Sequence, residues 1–342
     1  MPLRTRMALR AVVAVSAMIA STAGAAGADE GSSDCATRQS RDDAWWTGPV
    51  LAASAATLSQ GHFLFEPYVY DSISNSRFDD HGARHETTRA EAYRSQTYLL
   101  YGVTDTVTAG LIPRFGYNEV SQGRSSSGVQ VGDLTLQAQY RLTQFQEGHW
   151  VPTMSLVLAE TVPSGKYDRL GERPSDGLGA GAYTTTVSLY TQHYLWLPNG
   201  RILRTRLDLS GSFSHDVQLE DVSVYGTESG FRGRASPGSS FVADSSWEYS
   251  VTRNWVLALD VVYEHDANTH VEGSYLTQQT GDNGPATIFR SNSGSSESLG
   301  FAPAVEYNWS ANVGVIFGAK LVAAGRNTEA VVIPVVAINV VY

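Results

Sequence analysis

From Gly61 to the end of the chain, apolar and polar positions alternate with a period of two. In the segment from Val129 to Leu142, Leu134, Leu136, Ala138, Tyr140 and Leu142 share one face. Asp133, Thr135, Gln137, Gln139 and Arg141 share the other. The same split recurs in 201–216, where Leu203, Leu207, Leu209 and Phe213 oppose Arg204, Arg206, Asp208, Ser210 and Ser212. Such alternation predicts strands that are apolar on one side and polar on the other. Further strands are expected over 61–71, 92–102, 107–118, 150–162, 182–197, 239–251, 255–265, 297–309, 312–324 and 328–342.

That is about twelve strands of the length a tilted membrane strand with its extensions requires. The connections carry the argument further. Short turns, such as Thr104-Asp105-Thr106, Pro198-Asn199-Gly200 and Thr252-Arg253-Asn254, follow the even strands. Long polar connections mostly follow the odd ones: 71–91, 163–181, 217–237 and 266–294. Short periplasmic turns and long external loops, with both termini periplasmic, are the mark of an outer-membrane barrel. The expected fold is therefore all-β, an antiparallel up-and-down transmembrane β-barrel of about twelve strands. Trp150, Trp196, Trp255, Tyr307, Trp309 and Tyr342 fall near inferred strand ends and are expected at the periplasmic interface, where amphipathic rings are favoured.

The start of the chain is different. Arg4, Arg6 and Arg10, an apolar run from Ala11 to Ala20, and small residues up to Ala28 have the layout of a secretory signal peptide. The expected division is a signal peptide over 1–28, a periplasmic leader over 29–60 and a barrel over 61–342. The leader holds Trp45-Trp46 and then LAASAATLSQ. It could lie along the rim, plug the lumen or stay disordered, and its tryptophans favour order.

Composition narrows the function classes. The sequence has 24 Lys and Arg against 34 Asp and Glu, and the exported part is more acidic still, which disfavours nucleic acid as a partner. The single cysteine, Cys35, excludes an intramolecular disulfide framework. Ser32-Ser33-Asp34 before it lacks the residues of a lipoprotein cleavage site.

A charged side chain at the middle of a lipid face costs about 2–4 kcal/mol for Arg or Lys. Charges on strands should therefore point inward. The lumen-lining candidates are Glu66, Arg114, Asp133, Gln137, Arg141, Arg204, Arg206, Asp208, Asp260, Glu264, Glu306 and Lys320. They would form either a polar constriction that selects solutes or a ladder of paired charges filling a narrow barrel. Leu64, Tyr68, Tyr70, Tyr98 and Tyr190 add a hydrophobic and aromatic component, with the tyrosines read preferentially as girdle residues.

Two other chemistries are weaker. Asp79, Asp80, His81, His85 and Glu86 could offer metal ligands, but their spacing does not form a helical HExxH pair, so no metal and no cofactor is expected. A lipid hydrolase would need an outward Ser–His arrangement. His193 and strand serines exist, yet no nucleophile turn marks a catalytic serine, and no enzyme is expected.

GDLTLQAQYRL (132–142), LAETVPSGKYDRLG (158–171) and GAGAYTTTVSLYTQHYL (179–195) resemble the outer-membrane family named for the meta pathway of phenol degradation. Its members are called transporters. The resemblance implies a barrel with an uptake role in a Gram-negative outer membrane and no catalytic residue. The expected partners are outer-membrane lipid, the barrel-assembly machinery and a small solute, aromatic or otherwise hydrophobic. The alternative is a closed structural barrel that binds partners through its external loops.

The closing stretch VVIPVVAINVVY presents Val332, Val336, Ile338, Val340 and Tyr342 to one face and Asn339 to the other. Tyr342 is the expected assembly signal. Deleting it should lower the amount of heat-modifiable barrel in outer-membrane fractions while leaving the solute preference of the assembled protein unchanged. Normal assembly without Tyr342 would contradict that role.

Overall fold

A computed structural model describes residues 38–275 and 287–342 of the chain. The expected signal peptide and Cys35 lie outside the described residues. Twelve antiparallel strands form one closed wall. They are β1 (Phe63–Phe78), β2 (Arg84–Thr104), β3 (Val107–Ile112 and Arg114–Val120), β4 (Leu134–Thr143), β5 (Thr153–Val162) and β6 (Thr184–Trp196). They continue as β7 (Ile202–Ser214), β8 (Ser240–Ser250), β9 (Trp255–Asp266), β10 (Ser296–Ser310), β11 (Val313–Arg326) and β12 (Thr328–Val341). Each strand pairs with its sequence neighbours, and β1 also pairs with β12 through Leu64↔Val341 and Tyr68↔Ala337. Closure leaves no open edge in lipid, where no water exists to satisfy one. Pro113 divides β3, because proline has no N–H to give the ladder.

The apolar half of each alternating strand faces outward. Val69, Tyr140, Leu158, Leu257, Phe317 and Ile338 are all at least 46 % exposed. An apolar belt around a closed barrel is an outer-membrane architecture, and that is where this chain resides. The short turns, the start of β1 and Tyr342 gather at one end, where Phe63 donates its N–H to the Tyr342 carbonyl at 3.1 Å. At that end Trp255, Tyr307 and Trp309 meet in series, tilted and then edge to face, with ring centroids 4.7 and 5.3 Å apart. Trp196 departs from the expected girdle. It shares the inward parity of Gln192 and Tyr194, and its indole donates to the Gln39 carbonyl at 2.8 Å.

At the opposite end the polar stretches are more ordered than the sequence suggests. Residues 71–91 were expected to be a loop, yet β1 and β2 run through them to a tight turn at 79–83. Polar composition lowers strand propensity, but the hairpin register set within the membrane extends beyond it. The two longest connections are not loops throughout either. Val217–Glu220, Phe231–Ser236, His270–Tyr275 and Thr287–Asn292 build a separate four-stranded external sheet. It has its own core of Val217, Leu219, Phe231, Ala235 and Val271, capped by Ala182 and Tyr167 from the β5–β6 connection. Gly233 and Gly273 face each other under the Phe231 ring, where an added Cβ would come within 2.7 and 2.6 Å of that ring.

Phe231 is 1 % exposed, and Phe→Ala at a buried site costs about 3–5 kcal/mol. Phe231→Ala should open the external sheet to protease while the barrel keeps its heat-modifiable mobility. Loss of both together would show that the sheet and barrel fold as one unit.

Candidate solute pathway

The lumen is shaped first by the chain that precedes β1. Residues 38–62 have no strand of their own apart from a short 3-10 turn at Arg41–Asp43, so their backbone groups need partners elsewhere. The barrel wall supplies them. Gln39 donates to Gly200 O at 2.9 Å and Trp45 to Arg253 O at 3.0 Å, both at periplasmic turns. The N–H groups of Thr47 and Gly48 then donate to Glu306 Oε2 at 2.7 and 3.0 Å. Val50 and Ala52 donate to the two oxygens of Asp260 at 3.0 and 3.3 Å, and Ala53 to Asp208 at 2.7 Å. Arg206 reaches the Ala52 carbonyl at 2.9 Å.

The segment then crosses to the other wall. Gln139 donates to Ser54 O at 3.0 Å, Ser155 to Ala55 O at 2.6 Å, and Leu58 N donates to Thr108 Oγ1 at 2.9 Å. It returns to the periplasmic end at Asp105, whose carboxylate accepts from Gln60 N at 3.0 Å. Small side chains make this path possible, because they let the backbone lie flat within reach of the wall. The wall makes room in turn: a Cβ at Gly314 or Gly318 would meet Thr47 or Val50 at 2.0 and 2.7 Å. Val50 shares a buried cluster with Ala302, Ala304, Ile316 and Ala337, against which Val335 packs. That contact explains why Val335 is apolar on the inner face of β12.

The charged groups holding the leader form one buried network. Arg204 and Arg206, 6 % and 5 % exposed, both donate to Glu248. Arg204 also lies over the Trp46 ring, 4.5 Å from its centroid, a cation–π contact from wall to leader. Of the lumen candidates, Arg204, Arg206, Asp208, Asp260 and Glu306 thus meet around the leader. The others stand apart. Glu66 accepts from Asn339 at 3.0 Å, Arg114 donates to Gln96 at 3.1 Å, and Lys320 donates to Glu264 at 2.6 Å. Asp133 sits at the external end and accepts the N–H groups of Gly165 and Ala180 at 2.9 and 2.7 Å. Gln137 and Arg141 are half-buried on the inner parity of β4.

Sequence reasoning missed Glu248, the centre of the arginine pair, and Asp244. Both lie on β8 at alternating inward positions, with Ser246 between them and Trp247 and Tyr249 on the other parity. That six-residue run, 244–249, carried the same signal as β7.

Beyond the leader, β1 and β2 present a ladder of inward cross-strand pairs: Glu66↔Tyr98, Tyr68↔Gln96, Tyr70↔Arg94, Ser72↔Ala92 and Ser74↔Ala90. The tyrosines, preferred as girdle residues on sequence grounds, point inward because Phe65 and Val69 occupy the lipid parity. Tyr68 and Tyr98 meet edge to face at 5.8 Å, and Tyr190 stands on the inner face of β6 opposite Asp208. At the external end Ser72, Ser74, Ala90 and Ala92 of this ladder also line a cavity of about 400 Å³, together with Asn118, Arg124, Glu172 and Glu329.

The outlying candidate groups are local. Asp79 caps the β1–β2 turn, accepting from His85 at 2.8 Å and from the N–H groups of His81 and Ala83. The His85 bond and these backbone bonds hold its carboxyl at about 2. His193 packs edge-on against Phe145 at 4.8 Å.

The chain is a member of the family described as "Putative MetA-pathway of phenol degradation", which matches residues 81–330. Among solved structures it is similar to an outer-membrane channel from Pseudomonas putida F1, at 18 % identity and a TM-score of 0.63. That match covers 86 % of this chain and 100 % of the other. The P. putida toluene transporter TodX matches at 11 % identity and a TM-score of 0.37, covering 88 % of this chain and 95 % of the other, a score too low to carry any argument. No curated protein matches the sequence.

Breaking a buried ion pair by removing one partner costs about 3–5 kcal/mol. Glu248→Ala leaves Arg204 and Arg206 buried without their carboxylate. It should lower stability by that order in urea unfolding from lipid vesicles, and an unchanged midpoint would contradict the network's role.

Proposed function

We propose that this barrel is an outer-membrane channel for passive passage of small solutes, aromatic or otherwise hydrophobic ones, entering from the external cavity. The observation that carries the reading is the ladder of inward tyrosines, small residues and polar groups on β1 and β2 below that cavity. Tyrosine faces offer apolar contact while their hydroxyls and the neighbouring Gln96 and Arg94 can hydrogen-bond a polar substituent. Membership of the phenol-degradation family and similarity to an outer-membrane channel support the same class.

In this reading the leader sets the permeability. Residues 47–56 cross the periplasmic half of the lumen, so a solute passes between them and the tyrosine wall or waits for them to move. The charged network around Glu248 grips the leader and does not itself bind solute.

A second reading, a barrel that binds partners through its external loops, is favoured by one observation: the external sheet is ordered and has its own core. Solute flux separates the two.

In planar bilayers the full chain should give small conductance, and deletion of residues 47–56 should raise it severalfold. Cells carrying the chain should also take up labelled monoaromatics faster than cells without it. Absence of both ionic current and aromatic uptake, with and without the leader, would overturn the channel reading.

A further inference from the structure

The network that grips the leader has more carboxylates than it can satisfy. Around the arginine pair stand Asp208, Asp244, Glu248, Asp260 and Glu306, every one of them 6 % exposed or less. Glu248 takes both guanidiniums. Asp208, Asp260 and Glu306 accept leader N–H groups. Lys320 on β11 is held by Glu264.

Asp244 has none of these. It is 3 % exposed, and neither of its oxygens has a hydrogen-bond partner. Asp208 stands directly across from it on β7, and Asp260 lies on β9, paired with Ser246. The second oxygen of Asp208 is also buried without a partner, and the Ser246 hydroxyl lies beside Asp260. Three unpartnered carboxylate oxygens on β7 and β8 therefore share one inward patch, with Asp260 and Ser246 beside them. A buried carboxylate without a counter-charge or hydrogen bond is costly by several kcal/mol, so the patch takes up either protons or a cation.

We propose that Asp244, with Asp208, Asp260 and Ser246, binds a divalent cation in the lumen wall beside the leader. The donor set is all oxygen and doubly or triply anionic, the chemistry of Mg²⁺ or Ca²⁺. Among the described residues the one group of carboxylate and histidine ligands within 4.8 Å of one another is Asp79, Asp80 and His81 at the exposed turn. The lumen aspartates do not form a set of three that close, so an ion here would hold Asp244 and its cross-strand partner Asp208 and keep part of its water shell, as Mg²⁺ does. Because Asp208 and Asp260 also hold Ala53, Val50 and Ala52, an ion here ties the leader to the wall.

The test is isothermal titration of MgCl₂ and CaCl₂ into the full-length, chelator-treated protein in detergent, with thermal unfolding as a second readout. The expected result is saturable binding of one ion per chain, with a higher unfolding temperature in its presence. Asp244→Asn should lose both effects, and Asp79→Asn/Asp80→Asn should keep them. Asp244→Asn removes charge from a repulsive cluster and is expected to fold, which heat-modifiable mobility checks. Asp244→Ser serves as a second variant. No saturable binding by the unaltered chain, full binding by folded Asp244 variants, or loss only in the Asp79/Asp80 variant would each overturn the proposal. None of these outcomes depends on whether the barrel conducts solute.

Discussion

Every backbone group in this protein must find a partner without help from lipid, and that constraint organises both the wall and its contents. The strands satisfy it by closing β1 onto β12. The irregular segment before β1 faces the same demand inside the lumen and satisfies it differently, by drawing on side chains. Glu306, Asp260 and Asp208 accept its N–H groups, while Arg206, Gln139 and Ser155 donate to its carbonyls. The buried charges of the barrel are therefore tied to the leader's conformation. An isolated carboxylate in such a place would be severely destabilising, and one that receives backbone N–H bonds is not.

This arrangement divides the interior into two parts with different chemistry. The walls built from β6 to β11 are charged, interlocked and filled by the leader. The wall of β1 and β2 is aromatic and hydroxyl-rich, and it leads to the external cavity. Cross-strand hydroxyl pairs, Thr186 with Ser212 and Ser188 with Ser210 at 2.8 Å, line the part of the β6–β7 surface away from the short turns. Small self-satisfied groups hold the wall together without filling the space. A solute thus meets a surface of modest polarity above a gripped segment.

The barrel was legible because lipid imposes a strict period of two, and a single charged residue on the wrong parity would be costly. Leu134 to Leu142 and the short turns at Asp105, Asn199 and Arg253 were enough to assign fold and face. The external sheet was not legible. Its strands are four to six residues long and interrupted by Gly and Ser, and its core depends on Phe231 and Leu219 meeting Ala182 from a connection far away in sequence. Of the interior, the inward charges on β4, β7, β9 and β10 could be read from parity. That Asp208, Asp260 and Glu306 meet around the leader could not, because the small-residue run 51–60 names no partner. Trp196 shows the same limit: its position near a strand end suited a lipid interface, and only the arrival of Gln39 turned it to another use.

The central claim is that residues 47–56 lie within the lumen against the charged wall. Ser54 Oγ stands 3.4 Å from Gln192 Oε1 on β6. With Cys35 replaced by serine, a short bifunctional maleimide should cross-link Ser54→Cys to Gln192→Cys in intact outer membranes, and neither single variant should form the product. Failure to cross-link in a correctly assembled barrel, with Ser54→Cys freely labelled from the periplasm, would contradict the account.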